Sequence, residues 1–422
     1  MFIARKRKLL AAGAITAAAA LVLAGCAASE EQDSDNAADT GSEAEEVEEP
    51  EAPAEPSIDT ITIWADDLTI PPLEGVAADF EADTGIAVEF VIKEFGNIRE
   101  EAITSIPTGE GPDLMVGAHD WTGQMVSAGV VAPVELGAAL GDFSENSVAA
   151  FSYDGSLYGM PYAVENIGLV CNSDLMPSQP ESWQELQDTG VQVALNPDSG
   201  DPYHFYPLQT SFGAYVFEKN EDGSYNPNLA MDNEGGYDFA QWLYEEGSQV
   251  FDVNAGYDIV SEQMLNGDLA CWITGPWAAP AIAEALGEDG YEIYNIPSIG
   301  GETPVQFLGA RGFFVSAQTE DKLFVTKFLS EYIANADVQT QIFELGGRIP
   351  AHKDALAAAA DDKIASGFGA VGANAEPMPS IPAMNSVWAS WGTTQAALLQ
   401  QAVEPEAAWE KMIEDIETAI AG

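Results

Sequence analysis

Ile61 and Ile63 alternate with threonines, Leu73, Val76, Ala77 and Phe80 recur at i, i+3, i+4 and i+7, and Ile86, Val88, Phe90 and Ile92 alternate again. These periods read as a strand over residues 58–64, a helix that Gly85 stops, and a second strand. A strand, helix, strand order of this length is a right-handed parallel unit and places the chain in the α/β class. Leu114 to Val116, after Gly111-Pro112-Asp113, is the next strand, and it runs into His119-Asp120-Trp121. In open α/β sheets a ligand sits just past the carboxyl ends of parallel strands. Asp66, Asp67 and the His119-Asp120-Trp121 loop therefore converge on one edge. An Asp can accept from two sugar hydroxyls and a Trp can stack on the apolar face of the ring, so the chemistry suggests carbohydrate. For Asp66 and Asp67 the competing reading is helix capping or solvation.

The N-terminus carries Arg5, Lys6, Arg7 and Lys8, an apolar run from Leu9 to Leu23, and then Leu23-Ala24-Gly25-Cys26. That order resembles the bacterial lipobox, which implies a signal peptide over residues 1–25 and diacylglyceryl modification of Cys26. Two acyl chains make such an anchor durable. Ala27 to Ser57 hold twelve acidic residues, no basic one and almost no large apolar side chain. Residues 26–57 are therefore expected to be an extended, disordered tether.

The 365 residues that follow exceed one hydrophobic core and suggest two domains. They carry ten basic against 57 acidic residues. That balance repels nucleic acid and anionic membrane surfaces. It also argues against an anionic ligand, unless one of the few arginines stands in the site. Cys171 and Cys271 each lie in an apolar run, where unpaired burial is the commoner state; a disulfide in this exported chain stays open as the alternative. Three histidines without metal-ligand spacing give no metal site, and nothing implies a cofactor.

Further along, Tyr158 to Leu169 mixes turn formers with β residues, as a strand passing between lobes would. Glu165 is an acid inside that apolar run, so it is paired or functional. Gln306 to Val315 looks like the return crossing, and Pro377 to Pro382 a third before a helix with Trp388 and Trp391. Trp183, Trp242 and Trp409 sit at helical spacing and read as core. Trp277 differs: it ends a strand in Gly275-Pro276-Trp277. Asp201-Pro202-Tyr203-His204-Phe205-Tyr206-Pro207 packs more aromatics around an acid than a turn requires.

With these motifs in order, the chain resembles extracellular solute-binding proteins of bacterial sugar ABC transporters, closest to the maltose/maltodextrin and cyclodextrin-binding group. The resemblance rests on Ile63-Trp64, Asp83-Thr84-Gly85-Ile86, Gly111-Pro112-Asp113 with Ala118-His119-Asp120, Tyr162-Ala163-Val164-Glu165, Gly275-Pro276-Trp277 and Met378-Pro379-Ser380-Ile381-Pro382. It implies a two-lobed periplasmic-binding-protein-like fold, each lobe a mainly parallel sheet flanked by helices, joined by crossing hinge segments. Lobe 1 would comprise residues 58–164 and 313–358, and lobe 2 residues 165–312 and 359–422. By position, the family's polar ligand contacts fall on Asp66, Asp67, Asp120 and Glu165, with Asp201 as a further acid. Its aromatic platforms fall on Tyr203, Trp277 and Trp388, with Met378 lining the pocket; Trp121 stands where some members carry Arg. The implied protein is a lipid-anchored, non-enzymatic monomer on the extracytoplasmic face, handing maltodextrin-type oligosaccharides to ABC permease subunits. Two rivals come from other classes. Asp120 with Glu165 is the one carboxylate pair a glycoside hydrolase could use. A binder of ferric ion would need clustered Tyr and His, and a polyamine binder would use the acids but not the Trp platforms.

Overall fold

The computed structural model describes residues 57–221 and 223–422; the expected signal peptide, the lipidation candidate Cys26 and the expected tether through residue 56 lie outside these. The first parallel unit forms as its periodicity dictates. Strand β1 (Thr60–Ala65) is followed by helix α1 (Glu74–Thr84) and by β2 (Ala87–Ile92), which pairs with β1 in parallel. Leu73, Val76, Ala77 and Phe80 are all buried. Gly85 ends α1 at φ 77°, a left-handed turn, with its N–H on the carbonyl of Glu81. After α2 (Phe95–Ser105), β3 (Leu114–Ala118) adds in parallel to the other side of β1. The carboxyl ends of three parallel strands thus share one edge.

Strand β4 (Gly159–Glu165) is separated from β5 (Gly168–Asn172) only by Asn166 and Ile167, yet the two belong to different sheets. Helix α3 (Pro202–Thr210), β6 (Cys271–Thr274) and β7 (Tyr291–Tyr294) follow in the second region. Strand β8 (Phe307–Ser316) returns to the first sheet, antiparallel to both β3 and β4. It runs unbroken across the expected boundary between residues 312 and 313. Helices α4 (Ala336–Gly346), α5 (Met384–Leu399) and α6 (Pro405–Ala421) complete the chain.

The two largest apolar cores among the described residues lie against the two sheets. One gathers Ile61, Ile63, Phe80, Leu114, Val116, Phe313 and Phe328 around the first sheet. The other gathers Leu169, Ile273, Phe205, Trp391 and Met412 around the second, together with Trp183, Trp242 and Trp409, as their helical spacing suggested. The fold is two-lobed α/β, but neither sheet is mainly parallel: β8 runs antiparallel to β3, β4 and Val131–Ala132 in the first, and antiparallel pairs dominate the second. The order of the second is β7, β5, β6 and the short strand Val191–Gln192, and β5 runs antiparallel to both β6 and β7. The reason is connectivity: β5 enters this sheet straight from the crossing rather than through a helix, so its direction is set by the crossing. Among the described residues no helix is long and apolar enough to cross a membrane.

The expectation of unpaired thiols is corrected. Cys171 on β5 stands opposite Cys271 on β6, with Cα atoms 4.0 Å apart, and the two form a disulfide. Each apolar run was legible alone; only strand register brings the sulfurs together.

Candidate functional site

Where the crossing strands meet the carboxyl ends of β1 and β3, two ion pairs lie together. Asp66, just past β1, accepts from Arg311 Nη2 at 2.8 Å and from Thr69 Oγ1 at 2.9 Å. Burial pulls the Asp66 carboxyl up, but Arg311, then Arg348, and the Thr69 hydroxyl together hold it below the usual carboxylate value. Glu165, at the end of β4, accepts from Arg348 Nη1 at 2.6 Å. Both arginine side chains are only 5% exposed. The chain has three arginines beyond its leader, Arg99, Arg311 and Arg348. Each lies against a ring: Arg99 5.9 Å from Trp121, Arg311 3.6 Å from Phe95 and Arg348 5.5 Å from Trp277.

The loop after β3 is positioned by its histidine. Nδ1 of His119 accepts the Ala310 N–H at 3.1 Å, so Nε2 carries the proton and donates to the Met378 carbonyl at 3.2 Å. His119 therefore ties β3, β8 and the 376–378 segment together. Asp120 is 2% exposed, and its Oδ1 has no protein partner. Burial pushes its carboxyl up, partly offset by His119, Arg99 and a hydrogen bond from Trp388. Arg99 Nη1 donates to Asn385 Oδ1 at 2.6 Å, and Asn385 Nδ2 to the Asp120 carbonyl at 3.4 Å.

A second group is aromatic. Asp201 caps α3, accepting the His204 N–H at 3.0 Å, and its second oxygen meets His204 Nδ1 at 2.7 Å. Pro202 occupies the first helical position, where its missing N–H costs nothing. Tyr203 then lies over Phe307 at 6.2 Å, and His204 stands edge-on to Trp277 at 5.8 Å. Phe307 in turn meets Trp388 at 6.2 Å, and Trp388 stacks on Trp391 at 5.7 Å. A continuous track of rings thus joins Trp277 to Trp388. Gly275 makes room for it: a Cβ there would stand 2.1 Å from the Trp277 ring. The hydroxyls of Tyr162 and Tyr203 are buried without a partner. Burial pushes both above the ordinary tyrosine value, so each is a neutral O–H that can donate.

Asp66, Asp120, Glu165, Tyr203, Trp277 and Trp388 are drawn into one connected constellation. Four other expected contacts take different places. Trp121 is packed in an apolar cluster, its ring 4.8 Å from Phe95 and lying against Gly117. The side chain of Met378 is buried in the second core, and what it offers the site region is its backbone carbonyl. Asp201 is engaged by its own helix and His204. Asp67 is exposed. Arg311, Arg348, Tyr162, His204 and Tyr257 are not among the ligand contacts the sequence leads one to expect. Arg311 had a signal, a cation inside the apolar run Phe307 to Val315 of a base-poor chain; Tyr257 had none. Among the described residues no group of three His, Cys, Asp or Glu could hold a metal ion.

The model of the bacterial extracellular solute-binding protein family matches residues 75–367. The chain belongs to that family. Relatives of this solute-binding protein include the maltodextrin-binding protein MdxE of Bacillus subtilis, 27% identical over 75% of this chain and 79% of that protein. The galactooligosaccharide-binding protein of the same species is 26% identical over 78% and 82%. A maltooligosaccharide ABC transporter solute-binding lipoprotein of Streptococcus pneumoniae is 25% identical over 78% and 81%. Among solved structures, the Thermus thermophilus maltotriose-binding protein bound with maltotriose superposes with a TM-score of 0.78 and 28% identity, over 85% of this chain and all of that one.

Proposed function

We propose that this solute-binding protein captures maltose/maltodextrin-type oligosaccharides and presents them to an ABC importer without cleaving them. The observation that carries the reading is the pairing of an aromatic track, Trp277 through Tyr203 to Trp388, with two ion pairs whose charges are balanced two against two. Asp66 with Arg311 and Glu165 with Arg348 cancel each other in place. A surface this acidic would otherwise attract cations, so local neutrality favours an uncharged ligand over a polyamine. A sugar ring is apolar on its face and polar at its edge; the rings bury the former while Asp120 Oδ1 and the tyrosine hydroxyls are free to take the latter. The family match and the binding-protein relatives speak against a hydrolase built on Asp120 and Glu165.

Titration calorimetry over maltose, maltotriose, longer and cyclic maltodextrins, trehalose and galactooligosaccharides tests the ligand class. Saturable binding of maltodextrins is the expected result; heat from galactooligosaccharides alone would move the assignment to that sugar. Chromatography of maltotriose incubated with pure protein should show no shorter sugar. Closure about residues 163–168 and 307–313 should give a more compact scattering profile with maltotriose than without it. The Leu23 to Cys26 motif and the pneumococcal lipoprotein support an anchor at Cys26. Cys26→Ser should release the protein from membranes or leave an uncleaved precursor.

A further inference from the structure

Arg348 sits on a turn that touches both lobes. The turn is tied to β4 of the first sheet by the Val164 N–H on the Ile349 carbonyl, 2.9 Å, and by the Ala351 N–H on the Tyr162 carbonyl, 3.1 Å. Gly347, at φ 69°, lies against the second lobe so closely that a Cβ would stand 2.4 Å from the Pro276 carbonyl oxygen and 2.7 Å from Pro280 Cδ. Pro276 directly precedes Trp277. From this turn Arg348 reaches Glu165 and sets its guanidinium beside the Trp277 ring.

We propose that Arg348 is a positioning residue: seated on Glu165, it holds the Trp277 ring in its ligand-binding pose and couples that pose to the approach of the two lobes. The proposal rests on Trp277 being a sugar platform. A cation beside an indole face attracts it electrostatically, and a guanidinium adds a flat surface that an ammonium lacks. The ion pair with Glu165 restrains the plane of the guanidinium, so the ring is held from a point fixed on the crossing strand. Opening of the lobes would carry the 346–348 turn away from Pro276 and free the ring.

Removing Arg348 alone would leave Glu165 charged and enclosed, which costs stability by itself. The test therefore uses Arg348→Met with Glu165→Gln, which removes both charges, Arg348→Lys, which keeps one, and Glu165→Gln alone as the reference. Melting temperature, maltotriose affinity and dissociation rate, and the indole fluorescence change on maltotriose are measured for each, with and without Trp277→Ala. The double variant is expected to stay folded, to weaken maltotriose about fivefold or more through faster dissociation, and to show a smaller fluorescence change. Arg348→Lys should fall between it and the parent. Beyond the loss that Glu165→Gln alone produces in each background, the same changes should cost little further with Trp277→Ala, because the ring they act on is gone. Parent-like binding by Arg348→Lys and the double variant, or an equal further loss with and without Trp277, would overturn the proposal. Parent-like binding by Trp277→Ala would instead sink the platform reading, and this proposal with it.

Discussion

Arg311 and Asp66 are 245 residues apart in the chain and 2.8 Å apart in the fold, meeting from β8 and the end of β1 across the intervening β3, both nearly buried. The pair is electrically balanced in place. Breaking it from one side leaves an uncompensated charge in a place with little water, which costs about 3–5 kcal/mol. Arg311→Met should therefore lower stability by about that much, and Arg311→Met with Asp66→Asn by clearly less. Chemical denaturation of the three proteins measures it.

The same pair gives the acid limb of stability a definite sign. Asp66 has a folded pKa below its unfolded value, so its contribution is complete above the ordinary carboxylate range. It is lost as pH falls through the lowered folded value, below about pH 4. Arg311→Met should flatten that part of the curve. A stability profile between pH 2 and 7 compares them.

Asp120 has the opposite sign. Its pKa is raised by burial, so its titration opposes folding above the ordinary carboxylate range, and the penalty fades as pH falls below that range. Asp120→Asn should melt higher than the parent at pH 7, with the gain vanishing near pH 3, while maltotriose binding weakens at least tenfold from the lost acceptor. A variant both less stable and equally tight would refute this assignment of Asp120.

Trp277→Ala and Trp388→Ala should each weaken maltotriose binding roughly thirtyfold or more, since a buried aromatic anchor carries upwards of about 2 kcal/mol. Trp409 is fully buried in the second core, with its indole N–H on the Met231 carbonyl at 3.0 Å. Trp409→Ala should instead cost about 3–5 kcal/mol of stability and leave affinity nearly unchanged. Paired denaturation and titration experiments separate the two classes.

The Cys171–Cys271 bridge closes a loop with a sequence separation of 100. Chain entropy assigns a loop of that length about 4–5 kcal/mol. Cys171→Ala with Cys271→Ala should lower the melting temperature markedly without a comparable loss of maltotriose affinity. Alkylation of the unreduced protein followed by peptide mass analysis should find neither cysteine modified.

Local pattern determined much of this protein. The 3.6 and 2.0 periods over residues 58–92 were enough for the first strand–helix–strand unit, because burial of one face imposes them residue by residue. Gly85 could be read as a helix stop because a left-handed turn favours glycine. Short motifs at strand ends pointed to Asp66, Asp120 and Trp277, and the family resemblance to Trp388. Tertiary structure alone decided who pairs with whom. Strand register put Cys171 against Cys271, and the direct crossing from β4 turned β5 antiparallel. Packing drew Trp121 into a core that a Trp in a loop motif did not reveal. The arginines joined Asp66 and Glu165 across 245 and 183 residues. Such pairings depend on distances in space between segments remote in sequence, and no local propensity encodes them.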